Sequence, residues 1–256
     1  MVADALAVLI PALVQEVASV VDLDTALSEI TRLLGFPYFA LTHHVDLAQS
    51  NNHVIRLHNY PDHWALDYDS QALGLVDPVH RASYMTAIGF RWSQIPWLLP
   101  LTEGDRSILE QGKRQGLSDG FTVPVHVPGE ARGSCSFATG SGEMPDTLTL
   151  LHAQVAGTYA FEAARRLWLR RGTSPEPLRP VLTDRQRECV LLLAQGKSDA
   201  EIATILGISR DTATAHVRAA CQRYRIFKRQ LLIPLTLFDG TLTFADVKPW
   251  RYPHFL

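Results

Sequence analysis

Residues 197–225 read KSDAEIATILGISRDTATAHVRAACQRYR, and their punctuation decides the fold of this part of the chain. Ser198 with Glu201 three residues later is a capping box, Gly207 stops the helix, and Ser209 caps the next one. Two short helices joined by a three-residue, glycine-containing turn predict a helix-turn-helix. Upstream, LTDRQRECVLLLAQG (182–196) predicts a further helix, capped by Thr183 and ended by Gly196. On the last helix Ala213, Val217, Ala220 and Tyr224 recur at helical spacing and should face the bundle. The opposite face presents Arg210, Asp211, Thr214, Ala215, Arg218 and Gln222, the side a recognition helix lays into a major groove. Arg218 suits a guanine edge and Thr214 a base or a methyl. Arg210, His216, Arg223, Arg225, Lys228 and Arg229 suit phosphates, which contribute affinity but no sequence code. The competing reading is a small helical bundle whose charges are simply solvated.

Charge separates this region from the rest. Residues 179–238 carry 10 Lys+Arg against 5 Asp+Glu, whereas residues 1–178 carry 12 against 19. A basic appendage on an acidic body points to a polyanionic partner. The 256 residues, 46% apolar and 20% charged, are enough for two domains with their own cores. RRGTSPEPLRP (170–180), with three prolines, is the seam. We therefore expect a domain at 1–171, a linker at 172–180, the helical domain at 181–240 and an extension at 241–256. Cys135, Cys189 and Cys221 form no C-x-x-C pair and read as buried thiols in a reducing compartment. The apolar start has no basic residue before Arg32 and carries Asp4, Pro11 and Glu16, so it reads as a helix and not a secretion signal. No run approaches the ~20 apolar residues of a membrane span. The expectation is a soluble, cytoplasmic protein without a membrane partner.

The first domain mixes elements. Helices are expected at 3–20, 22–34, 61–72, from Pro78, at 102–115 and at 145–171. Strands are expected at 38–45, 52–58, 120–127 and 133–139, with a further short one at 89–92. Helices before and after a block of mostly hairpin-linked strands predict an α+β domain, an α/β/α sandwich on an antiparallel sheet. Within it NYPDHWALDYDSQALGLVDPV (59–79) places Tyr60, Trp64 and Tyr68 four residues apart and then Asp77 before Pro78. On the residues alone, Tyr60, Trp64 and Tyr68 read first as core packing. A buried carboxylate needs a donor from ligand or protein. Six histidines lie between 43 and 80, yet no H-E-x-x-H, C-x-x-C, H-x-H or G-x-S-x-G appears. No metal, cofactor or catalytic residue is expected.

LTDRQREC (182–189) and AQGKSDAEIATILGISRDTATAHV (194–217), with a short last helix after FKRQ, resemble the LuxR-type helix-turn-helix. The spacings of Tyr60, Trp64, Tyr68, Asp77, Pro78, Trp92 and Gly120 resemble the autoinducer-binding domain of the same family of quorum-sensing regulators. The resemblance implies an N-acyl homoserine lactone as effector. It assigns Trp64 to the lactone carbonyl, Asp77 to the ligand amide N–H, and Tyr60 to the amide carbonyl with Ser136 as a second hydroxyl. Tyr68 and Trp92 would pack on the acyl chain and ring, with Ala40, Thr42 and His44 on the pocket face. Thr42 and His44 are polar for a plain alkyl tail, so an oxygen-bearing or otherwise unusual acyl group is expected, with His44 itself read as a satisfied core or rim histidine. The implied assembly is a homodimer on double-stranded promoter DNA, with helix 145–171 in the dimer contact and RNA polymerase as a further partner. An orphan regulator sensing another molecule, or none, is the alternative. Three departures stand out. Gln186 replaces a family glutamate used in polymerase contact, Pro234 falls in the last helix, and TFADVKPWRYPHFL extends the end and should dock on a domain or a partner.

Overall fold

The computed structural model describes residues 2–44, 54–140, 143–170 and 180–247. Residues 45, 52–53 and 171 of the expected elements, 172–179 of the expected linker and 248–256 of the extension lie outside them. By internal contacts the chain forms two units, Met1–His126 with Ala131–Ser174, and Val127–Glu130 with Pro175–Leu256.

The first unit opens with α1 (Val2–Gln15) and α2 (Val20–Leu33). The break falls earlier than the sequence suggested because Ser19 caps α2. Its side chain accepts from the Asp22 N–H, and Asp22 accepts the Ser19 N–H at 2.9 Å. There follow β1 (Tyr38–His43), β2 (Arg56–His58), α3 (Asp62–Ser70), α4 (Pro78–Ser83), β3 (Phe90–Arg91), α5 (Ile95–Leu98) and α6 (Glu103–Arg114). The hairpin β4 (Asp119–Val125) and β5 (Gly133–Thr139) then leads to α7 (Thr147–Arg170).

The strands make one antiparallel sheet in the order β2-β1-β5-β4-β3. Register sorts its two faces. Phe39 and Leu41 of β1 lie opposite Phe137 and Cys135 of β5, which lie opposite Phe121 and Val123 of β4. All six are buried in the main core with Leu6, Ile10 and Leu13 of α1, Leu23, Leu27 and Ile30 of α2, and Phe161 of α7. Each large side chain removed from water there contributes roughly 1.5–3 kcal/mol. α7 approaches the sheet through Ala153, Ala156, Ala160 and Gly157. A Cβ on Gly157 would stand 2.9 Å from the Val123 side chain, so the small residue sets the helix–sheet distance. The other sheet face carries Ala40, Thr42, Thr122, Ser134 and Ser136. Such small polar side chains leave room, and α3, α4 and α6 close over it through Trp64, Val79 and Ile108.

The second unit contains α8 (Asp184–Ala194), α9 (Asp199–Leu206), α10 (Arg210–Arg223), α11 (Leu232–Phe238) and α12 (Phe244–Val247). Thr183, Ser198 and Ser209 cap the first three as expected. Gly207 takes the left-handed conformation, φ 66°, that makes the turn between α9 and α10. Ala213, Val217 and Ala220 are buried with Val190, Ile202 and Leu232, and Tyr224 packs against them. Pro234 does not break its helix. It sits in the first turn of α11, where no intrahelical N–H is required. The extension as far as Val247 docks on α8. Arg187 donates to the Thr241 carbonyl at 3.1 Å and Gln195 to the Asp246 carbonyl at 3.1 Å.

Candidate functional site

Between the polar sheet face and the α3–α4–α6 cover lies a cavity of about 110 Å³. Its wall includes Ala40, Thr42, Tyr60, Trp64, Tyr68, Asp77, Trp92 and Ser136, every residue the sequence singled out for a ligand. Tyr60 is not on the helix with the other two aromatics. It precedes α3, whose N-cap is Pro61, and its ring meets Tyr38 edge-on at 6.2 Å. Trp64 and Tyr68 lie one turn apart on α3 with ring centres 5.7 Å apart.

Asp77 is 8% exposed and has found protein donors. Its Oδ2 accepts the Tyr68 hydroxyl at 2.6 Å, and its Oδ1 accepts the Val79 N–H at 2.7 Å as the N-cap of α4. Pro78 at the first helical position fixes the turn that aims the carboxylate. Burial, then the Asp77 charge, raises the Tyr60 hydroxyl far above its ordinary value, and the same causes raise Tyr68. Both therefore remain protonated donors in any physiological buffer.

Trp92 is held differently from the expectation of packing alone. Its indole N–H donates to Thr122 Oγ1 at 2.9 Å, and Thr122 shares a 2.8 Å hydrogen bond with Ser136. Gly120 explains itself here, because a Cβ would come within 2.5 Å of the Trp92 ring. Thr122 is the link the sequence reading missed. Its alternation with Gly120 was visible, but its pairing with Ser136 depends on the β4–β5 register.

His44 stands behind the wall. Its ring stacks on His80 at 3.8 Å, and its Nε2 meets the Ser134 hydroxyl at 2.9 Å. Burial, then the neighbouring His80, His43, His126 and Arg132, depresses its pKa well below the usual value, so it is neutral. Arg56, His58 and His80 also line the cavity and were not singled out in the sequence.

In the second unit the groove-facing row is largely open. Arg210, Asp211, Ala215, Arg218 and Gln222 are exposed, and Thr214 and His216 are half-buried. Thr214 is committed inside the fold, since its hydroxyl donates to Asp199 at 2.8 Å. Two of the expected phosphate contacts are committed as well. Arg229 pairs with Asp199 at 2.8 Å, and Arg223 donates to the Val181 carbonyl at 2.6 Å. Gln186 is buried and closes the capping box of α8, accepting the Thr183 N–H at 3.0 Å.

A family model described as an autoinducer binding domain matches residues 19–164. A second, bacterial regulatory proteins of the luxR family, matches residues 180–235. The chain belongs to the LuxR family of quorum-sensing transcriptional regulators. This LuxR-family protein is 26% identical over 229 residues to the transcriptional activator VanR of Vibrio anguillarum, covering 88% of this chain and 93% of VanR. It is likewise 26% identical over 229 residues to the activator LuxR of Aliivibrio fischeri, covering 89% and 90%. Its fold matches SdiA in complex with octanoyl-rac-glycerol, with a TM-score of 0.68 at 20% identity over 94% of this chain and 96% of SdiA. CepR2 of Burkholderia cenocepacia, an N-acylhomoserine lactone dependent factor, matches with a TM-score of 0.51 at 16% identity over 68% and 99%. The LuxR-family regulator is thus a small-molecule-binding domain joined to a DNA-binding helix-turn-helix, and not an enzyme. No described helix is long and apolar enough to cross a membrane.

Proposed function

We propose that the effector is an N-acyl homoserine lactone, held in the cavity of the first unit, and that the protein reads promoter DNA as a homodimer. The observation that carries the ligand assignment is the Asp77 carboxylate, fixed on the cavity wall by Tyr68 and Val79 beside the Trp64 indole. A carboxyl acceptor held in place is suited to an amide N–H, and an indole N–H to a lactone carbonyl. The Tyr60 hydroxyl serves the amide carbonyl. In this reading residues 1–171 bind ligand and dimerise, residues 181–240 bind DNA, and residues 241–256 are an extension of the DNA-binding part. The exposed stripe Leu148, Leu151, Val155 and Tyr159 along α7 supports the dimer, with 62%, 60%, 46% and 38% exposure. Apolar residues aligned on one helix face and left in water suit a second copy of the same helix.

The test is the thermal midpoint and soluble yield of the full chain with and without a panel of acyl homoserine lactones, with octanoyl glycerol as a non-lactone comparator. A ligand at 100 times its Kd adds about 2.7 kcal/mol. That raises the midpoint of a unit this size by about 5–10 °C. No shift with any lactone, or a shift with the glycerol ester alone, overturns the assignment.

A further inference from the structure

The cavity wall contributed by β2 and the start of α4 is polar. Thr42 and Arg56 are cross-strand partners, as are Ala40 and His58, so these four side chains share the cavity face of the sheet. His80 joins them from α4. Its Nδ1 donates to the Gly74 carbonyl at 3.0 Å, which leaves Nε2 for a further partner. Stacking on His44, itself bonded to Ser134, holds the His80 ring in place. His58 keeps a buried Nδ1 with no hydrogen-bond partner among the described residues. A saturated chain laid on this wall would leave the buried His58 Nδ1 without a hydrogen bond and offer none to His80 Nε2. Charge narrows the ligand further. Arg56 is paired with Asp69 at 2.6 Å and Asp77 lines the same cavity, so the wall offers no unbalanced positive charge to a carboxylate.

We propose that the acyl group of the ligand ends in a neutral oxygen function, a hydroxyl or phenol, recognised by His58 and His80. The inference rests on the lactone assignment above and adds the chemistry of the tail. Discrimination by a site built to hydrogen-bond exceeds discrimination by apolar fit, because an analogue lacking the oxygen leaves buried polar groups unpaired.

The experiment titrates the full chain with homoserine lactones sharing one head group: hexanoyl, 6-hydroxyhexanoyl, 4-hydroxycinnamoyl and dodecanoyl. At least one oxygen-bearing ligand is expected to bind ten-fold or more tightly than both plain alkyl ligands. His58→Leu should narrow that preference to within two-fold, and His58→Gln should retain most of it. Plain alkyl lactones binding as tightly as the oxygen-bearing pair overturn the proposal, and the wild-type ranking decides this whether or not His58→Leu folds. Failure of every lactone to bind is a different result and overturns the head-group assignment on which the proposal stands.

Discussion

Replacing Asp77 by Asn separates the fold of the first unit from its proposed ligand chemistry. Asn caps a helix about as well as Asp, and its remaining oxygen can still accept the Val79 N–H seen at 2.7 Å. The Tyr68 hydroxyl, now 2.6 Å from Oδ2, can rotate to accept from the new amide nitrogen. The folded state should therefore lose less than about 1 kcal/mol. The proposed ligand has no such freedom. Its amide N–H would meet either a donor or an uncharged acceptor instead of a carboxylate. A hydrogen bond to a charged group contributes about 1.5–3 kcal/mol, so affinity should fall roughly 10- to 150-fold. Isothermal titration of wild type and Asp77→Asn with the best lactone reads the ratio directly, and the unliganded thermal midpoints read the fold. An affinity within two-fold of wild type, with the midpoint preserved, would refute the carboxylate as the amide acceptor.

Arg218→Ala on the exposed face of α10 should weaken operator binding by about 1–3 kcal/mol and relax preference at one base position. Arg210→Ala should weaken all sequences alike and lower the salt slope by about one. Fluorescence anisotropy at several salt concentrations distinguishes the two, and an unchanged salt slope for Arg210→Ala removes it from the phosphate contacts. Leu151→Glu on α7 should shift the liganded chain from dimer to monomer in sedimentation, and a dimer that persists would place the interface elsewhere. The stability of the first unit should fall with acid. Burial, then the neighbouring imidazoles and Arg132, depresses the His44 pKa, so below about pH 6.5 the unfolded chain binds a proton the folded chain does not. The stabilisation is fully present above that pH and is lost as pH falls toward the folded pKa, at up to about 1.4 kcal/mol per pH unit. Thermal midpoints between pH 7.5 and 5 measure it, and His44→Asn should flatten the slope; an equally steep slope would assign the acid sensitivity to other groups.

Much of the second unit was legible because its signals are local. A hydroxyl at Ser198 and a carboxylate at Glu201 satisfy each other within one turn, and Gly207 takes a backbone angle other residues resist. Those interactions act within a few residues and so can be read in order along the chain. The Ser19–Asp22 box is equally local, but the apolar run that continues through it hides the break. The Tyr60–Trp64–Tyr68 spacing did bring three aromatics to one cavity, although Tyr60 reaches it from outside the helix. The same spacing was silent on what holds them, since Asp77 takes its donors from Tyr68, nine residues away, and from the first turn of the next helix.

The sequence by itself determined the helix-turn-helix, the inward row Ala213, Val217 and Ala220, and Tyr60, Trp64, Tyr68, Asp77 and Trp92 of the cavity. Periodicity and capping are short-range consequences of side chain and backbone chemistry. Only the tertiary structure decided that Trp92 is locked through Thr122 to Ser136, that Arg229 and Thr214 both bind Asp199, and that His44 stands behind His80. Each of those depends on strand register or helix packing between distant segments. A shift of one residue in register would turn Thr122 and Ser136 to the apolar face, and nothing within either strand alone forbids it.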